Sequence, residues 1–136
     1  MTLKDKKQNI PVVAKWLGED RGDNLAFKEG LRVYTIDKYG YLRSQRYKRS
    51  QIRLLSDNLK TLPIEGLSDF KIGNTYSIPQ SDMVIGKLME SNLFGYRFLA
   101  INSIGKLVFK DIDYCEAVKL LSSGDIKQVL ENVCDD

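Results

Sequence analysis

The sequence predicts an α+β protein: an internally duplicated β-hairpin-plus-helix unit, its two copies packed into one compact body with antiparallel sheet. Three observations predict it. Runs rich in β-branched and aromatic residues alternate with turns in which Asp or Asn is followed shortly by Gly. Helical spacing is confined to short stretches behind those hairpins. The order of these signals occurs twice, with the second copy offset by about 65–72 positions.

The elements follow in order. Val12 to Leu17 reads as a first strand, echoed in kind by Val84 to Met89, and Ile10-Pro11 ahead of it by Ile78-Pro79. Arg32 to Ile36 and Arg97 to Ile101 read as second strands. Asp37-Lys38-Tyr39-Gly40 and Asn102-Ser103-Ile104-Gly105 have turn chemistry, because Asp or Asn caps its own backbone and Gly supplies positive φ. Return strands start at Leu42 and Leu107. A helix is expected near Ser50 to Leu59 and another over Tyr114 to Ser122, where Cys115, Val118, Leu121 and Ser122 fall at helical spacing and Gly124 stops the helix. Arg53-Leu54-Leu55-Ser56 returns as Lys119-Leu120-Leu121-Ser122, and Leu59 to Leu62 as Ile126 to Leu130. Whether Asp125 to Glu131 is a strand or a short helix stays open at this level.

This divides the chain into a basic first copy (1–62), a linker rich in Gly, Ser, Asn and Pro (63–79), and a second copy with an acidic C-terminal part (80–136). Neither half is long enough to bury much alone, so the two should share a core.

Composition narrows the function. The chain has 136 residues, 43% of them hydrophobic, which suits an ordinary globular fold. It contains no histidine, which removes imidazole bases, Ser-His or Cys-His pairs and His-ligated zinc. Two cysteines, Cys115 and Cys134, are too few for a secreted disulfide scaffold and suggest a reduced, cytoplasmic chain in which both are small buried hydrophobes. No apolar run is long enough to span a membrane, and no secretory signal follows the basic start. Trp16 and Phe109 are core candidates.

Catalytic patterns are weak. Asp111 or Asp113 with Asp125-Ile126-Lys127 has the residue types of a Mg²⁺-dependent nuclease, but the first pair precedes an expected helix rather than lying on an adjacent strand. Glu19, Asp20 and Asp23 lack the ligand spacing of a calcium loop and read as a solvated turn. Arg21-Gly22-Asp23 spells an adhesion tripeptide with no use in a cytoplasmic chain. No phosphate-binding glycine loop is present. A non-enzymatic protein with no metal and no cofactor is expected.

The most unusual surface is basic and aromatic. Between Lys38 and Arg53 the sequence carries six cations (Lys38, Arg43, Arg46, Lys48, Arg49, Arg53), no acid, and three interleaved tyrosines (Tyr39, Tyr41, Tyr47). From Asp111 onward the balance reverses, with seven acids against two lysines. The second copy acts as a control: Arg43 aligns with Val108 and Arg46 with Asp111, so the shared scaffold does not require arginine there. On an extended return strand Tyr41, Arg43, Gln45, Tyr47 and Arg49 would share a face. Arginine suits bidentate phosphate contacts and tyrosine offers a stacking platform for an unpaired base.

The segment Tyr34 to Ser44 resembles the hairpin of the small DNA-binding module attached to some phage homing endonucleases. The resemblance covers only those residues; Trp16 lies too far upstream to match the module's leading Trp-Pro segment, and no His-Asn-His nuclease accompanies it. It implies a hairpin suited to DNA contact.

The expected function is therefore non-specific nucleic-acid binding by a small protein of phage or mobile-element type, carried by Lys38, Tyr39, Tyr41, Arg43, Arg46, Tyr47, Lys48, Arg49 and Arg53. The alternative is an inhibitor or immunity protein docking on a nucleic-acid-handling protein, in the manner of anti-defence or anti-CRISPR inhibitors. A third is an oligomeric accessory protein associating through exposed hairpin edges.

Overall fold

A computed structural model describes residues 10–55 and 58–133. Eleven strands form two antiparallel sheets, with one α-helix among the described residues. The first sheet comprises β1 (Val12–Trp16), β2 (Leu25–Glu29), β3 (Arg32–Ile36), β4 (Leu42–Arg46) and β5 (Ile52–Leu54), in the order β4-β3-β2-β1-β5. The second comprises β6 (Leu59–Pro63), β7 (Thr75–Ile78), β8 (Met83–Ser91), β9 (Gly95–Ile101), β10 (Leu107–Asp113) and β11 (Lys127–Glu131), in the order β10-β9-β8-β7-β11-β6. The helix α1 (Tyr114–Ser123) links β10 to β11.

The two hairpins form for the reason their sequences suggest. The Asp37 carboxylate accepts hydrogen bonds from the Tyr39 and Tyr41 amides at 2.9 and 3.0 Å, and the Asn102 side chain accepts one from the Lys106 amide at 2.9 Å. Gly40 and Gly105 take φ of +90° and +81° at the position where the chain must turn back. The helix also starts and stops as expected: Asp113 caps the Glu116 amide at 2.7 Å, and Gly124 closes it at φ +77°. Residues 127–131 form a strand.

Other expectations are corrected. No helix follows β4. Arg49–Gln51 makes a single 3₁₀ turn and the chain enters β5, which pairs with β1 through Ala14–Leu54, Lys15–Arg53 and Trp16–Ile52; residues 56 and 57 of the expected helix lie outside the described residues. An open edge on β1 offers backbone partners that a lone, uncapped helix would lack. The strand β2 has no sequence counterpart, because Leu25, Ala26 and Phe27 are all buried and alternation is lost. The segment 63–79 carries β7 and buries Ile64, Tyr76 and Ile78. Phe109 is 59% exposed and Cys115 is exposed, whereas Trp16 is buried; Cys134 lies outside the described residues.

The order β4-β3-β2-β1-β5 corresponds to the first five strands of the second sheet, β10-β9-β8-β7-β11, and β6 at its end has no counterpart. That correspondence sets β2 beside β8, not β1 as the alignment of Val12–Leu17 with Val84–Met89 would have it. Leu59–Leu62 and Gln128–Leu130 are likewise neighbours, pairing across one sheet from Leu59–Glu131 to Pro63–Lys127.

Three apolar clusters hold the layers. Trp16, Ala26 and Val33 pack on one face of the first sheet under Tyr47 and Ile52. Leu25, Phe27, Leu55, Ile85, Leu99, Ile101 and Val129 form a core between the two sheets. Tyr76, Ile78, Leu88, Phe98 and Ile112 pack with Ala117 and Leu120 of the helix.

The sheets are also joined by a buried ionic contact. The Lys87 ammonium on β8 donates to Asp20 Oδ2 at 2.8 Å, Asp23 Oδ1 at 2.9 Å, Asp23 O at 3.0 Å and Leu25 O at 2.6 Å. The side chains of Lys87 and Asp20 are 2% and 0% exposed. Asp20 and Asp23 are thus not solvated, their cation being a lysine from the other sheet, whereas Glu19 is exposed as a solvated turn requires. Burial pushes the Asp20 carboxyl up to about 6 in spite of Lys87. The folded chain therefore binds this proton more tightly than the unfolded chain. Stability from this group is gained as pH falls through about 6 and lost as pH rises through it. Asp37, Asp69, Asp82 and Asp111 are all shifted downward and act at lower pH. Urea midpoints should be higher near pH 5 than near pH 7.5, and Asp20→Asn should flatten that difference.

Candidate nucleic-acid interface

Most of the expected site residues lie on the β3–β4 hairpin and the turn that follows. Lys38 and Tyr39 sit in the tight turn, Tyr41 leads into β4, Arg43 and Arg46 are on β4, Tyr47 and Lys48 follow it, and Arg49 opens the 3₁₀ turn. Tyr39 and Tyr41 are 68% and 70% exposed. The Lys38 ammonium lies 5.4 Å from the centre of the Tyr39 ring.

The structure separates these residues by role. Arg43 donates to Asp37 Oδ2 at 2.8 Å and braces the turn. That bond, with the amides of Tyr39 and Tyr41, holds the Asp37 carboxyl below its usual range. Lys38 pairs with Glu19 at 3.2 Å. Arg53 is on β5, at the edge of the sheet opposite β4, and pairs with Glu131 of the second sheet. Tyr47 is half-buried against Trp16, Ala26 and Val33, with the Lys28 ammonium 5.9 Å from its ring centre. Three of the nine residues are thus engaged with acids and Tyr47 is part of a core. Arg46, Lys48 and Arg49 are exposed and form no ion pair among the described residues.

Arg43 and Arg46 do not share a face. Arg43 is opposite Thr35 and Arg46 is opposite Arg32, and an offset of three positions along a strand sends their side chains to opposite faces. Of the expected common face only Arg43 and Gln45 lie within β4; Tyr41 precedes the strand, Tyr47 follows it and Arg49 is in the 3₁₀ turn.

Two cations that sequence reasoning left out complete the surface. Arg32 on β3 is exposed, directly across from Arg46, with its Nη1 donating to Ser44 O at 3.1 Å and Ser44 Oγ at 3.2 Å. Arg21 reaches the turn from the β1–β2 loop, its Nη1 only 2.2 Å from where a Cβ on Gly40 would stand. The signal for Arg32 was in the repeat. At the equivalent register of the second hairpin, Arg97 faces Asp111 and closes an ion pair with bonds of 2.8 and 3.1 Å. The first hairpin puts arginine on both strands at that place.

The acids weighed for catalysis have separate structural duties. Asp111 pairs with Arg97, Asp113 caps α1, and Asp125 bonds the Ser123 hydroxyl. Among the described residues no helix is long and apolar enough to cross a membrane. No protein-family model, curated protein or solved structure matches this chain.

Proposed function

We propose that this chain binds single-stranded nucleic acid without sequence preference through the β3–β4 hairpin and the turn after it. The observation that carries this is the Arg32–Arg46 pair. Like charges directly opposite on neighbouring strands are destabilising, and the sister hairpin has an arginine–aspartate pair there. Glu29 on β2 stands opposite Arg32 on its other side, but neither guanidinium closes an ion pair among the described residues, and the two together are placed to bridge phosphates. Lys48 and Arg49 extend the positive edge, and Tyr39 and Tyr41 present exposed rings on which unpaired bases stack.

Arg46→Asp tests it directly, because it copies the sister hairpin. The variant should fold at least as stably as the parent and lose most of its affinity for labelled single strands in fluorescence anisotropy. Unchanged affinity in a folded Arg46→Asp protein would remove the proposal. Tyr39→Ala and Tyr41→Ala should each weaken single-strand binding about 5- to 150-fold, from about 1–3 kcal/mol of stacking per base. Parent affinity should fall steeply with salt, and each lost phosphate contact should lower that slope by about one.

One observation favours a second reading. Among the described residues the strand β4 is a sheet edge with no neighbour on its outer side, which offers the same basic strand to an acidic partner protein. In this class fall the inhibitors that dock on nucleic-acid-handling proteins. Binding that survives nuclease digestion would favour it. The matching strand orders and the shared hairpin register support descent of both sheets from one duplicated unit.

A further inference from the structure

The β8–β9 turn ends in two large apolar residues that cover nothing. Leu93 is 92% exposed and Phe94 is 82% exposed. Turns are ordinarily closed by small or polar residues, and nothing in this geometry asks for Leu and Phe. The turn is nevertheless held firmly. Asn92 Oδ1 accepts from the Phe94 and Gly95 amides at 2.8 and 3.2 Å, and the Asn92 amide donates to Gly95 O at 2.9 Å. The Tyr114 hydroxyl donates to Asn92 O at 2.5 Å, and the Tyr114 amide to Phe94 O at 3.2 Å. A turn whose backbone is already held loses little backbone entropy on docking. The surroundings are acidic: Asp113 and Glu116 line the notch beside Phe94, and Glu90 lies on the same hairpin, while Asp111 is neutralised by Arg97.

A recess of complementary character opens elsewhere on the same chain. It has a volume of about 290 Å³ and is lined by Leu25 and Leu130 with Lys15, Lys60, Asp23, Asn24 and Glu131. Its acids are already occupied. Glu131 takes Lys15 at 3.0 Å and Arg53, and Asp23 takes Lys87. Lys60 is exposed and unpaired among the described residues. The recess lies at the lower end of the range of about 300–1,000 Å³ seen for ligand pockets, and is large enough to admit a single side chain.

We infer that the Leu93–Phe94 knob of one copy docks in the Lys15–Lys60 recess of the next. At the rim of the recess Lys15 is held by Glu131, and Lys60, which closes no ion pair among the described residues, is the cation that meets the acidic flank of the knob. Knob and recess are different surfaces, and the contact is therefore heterologous: it adds copies head to tail instead of closing a two-fold dimer. This association is independent of the nucleic-acid proposal.

Analytical ultracentrifugation of the full chain from about 1 to 500 µM, a range that reports weak to moderate contacts, tests it. The weight-average mass should rise past that of a dimer without a plateau and fall again at high salt. Phe94→Ser (knob lost, recess intact) and Lys60→Glu (recess rim reversed, knob intact) should each weaken self-association at least about tenfold. Both residues are exposed, and unchanged thermal melts will show that both variants fold. Mixing the two variants should yield a one-to-one heterodimer and nothing larger. A monomeric parent at every concentration, association that neither variant weakens, or a mixture that stays monomeric would each overturn the inference.

Discussion

Lys87→Met should cost this protein about 3–5 kcal/mol at neutral pH, the range for removing one partner of a buried ion pair. The total available to a domain is about 5–15 kcal/mol, so much of the population would unfold on mild challenge. The cause is what remains. Asp20 would lose the ammonium that favours its charged form against burial, in a site where its side chain is wholly covered and where, among the described residues, Asp23 Oδ2 is buried without any hydrogen-bond partner. Two backbone carbonyls, of Asp23 and Leu25, would lose a donor as well. Urea denaturation followed by tryptophan fluorescence measures the loss, since Trp16 lies in the core of the first sheet. The deficit should shrink near pH 5, where Asp20 takes up its proton, because the site then holds one charge fewer. Adding Asp20→Asn and Asp23→Asn to Lys87→Met should recover part of the loss, since a neutral site carries no unpaired charge.

Gly73→Ala is expected to be nearly as damaging, through backbone sterics. Gly73 has φ of +92°, and a Cβ there would stand 1.5 Å from the Arg21 carbonyl oxygen, a clash no side-chain rotation relieves. Gly22, at φ +85°, is the other half of this contact, with a built Cβ 2.5 Å from the Gly73 carbonyl carbon. The two loops touch backbone to backbone, and a methyl group must force them apart. The left-handed conformation alone costs about 1–3 kcal/mol for a non-glycine residue, and displacing the loop adds to it. Gly105→Ala is the control: its φ is +81°, but nothing lies within 4 Å of its Cβ, so it should cost only the conformational part. Thermal melts of the two variants should differ by several degrees or more. Gly73→Ala and Lys87→Met open the same junction between sheets, so the double variant should lose less than their sum.

That junction shows where sequence reasoning stopped. Asp20 and Asp23 look like part of a solvated turn because their cation, Lys87, is more than sixty positions away. Lys87 stands in the apolar run Val84 to Met89, which supplies no acid for it. Each becomes intelligible only beside the other. The hairpins were legible for the opposite reason. Asp37, Gly40, Asn102 and Gly105 act on backbone within a few residues, as do Asp113 and Gly124 at the ends of the helix.

The candidate site was legible in part. Its place on the β3–β4 hairpin followed from charge and tyrosine spacing, and the exposure of Tyr39, Tyr41, Arg46, Lys48 and Arg49 agrees with that spacing. The composition of the patch did not follow, because an arginine's availability depends on which acid stands opposite. Lys38 and Arg53 find theirs in Glu19 and Glu131, on other elements, and Arg32 enters only through strand register.

The sequence by itself determined the turns, the helix and its caps, and the lopsided charge, all of which rest on interactions between near neighbours or on composition. Only the tertiary structure decided that the stretch after β4 becomes a strand, that the segment before β8 supplies a core strand, and which basic side chains remain unpaired. Strand pairing and buried charge are satisfied by partners distant in the chain, and a local pattern carries no record of who those partners are.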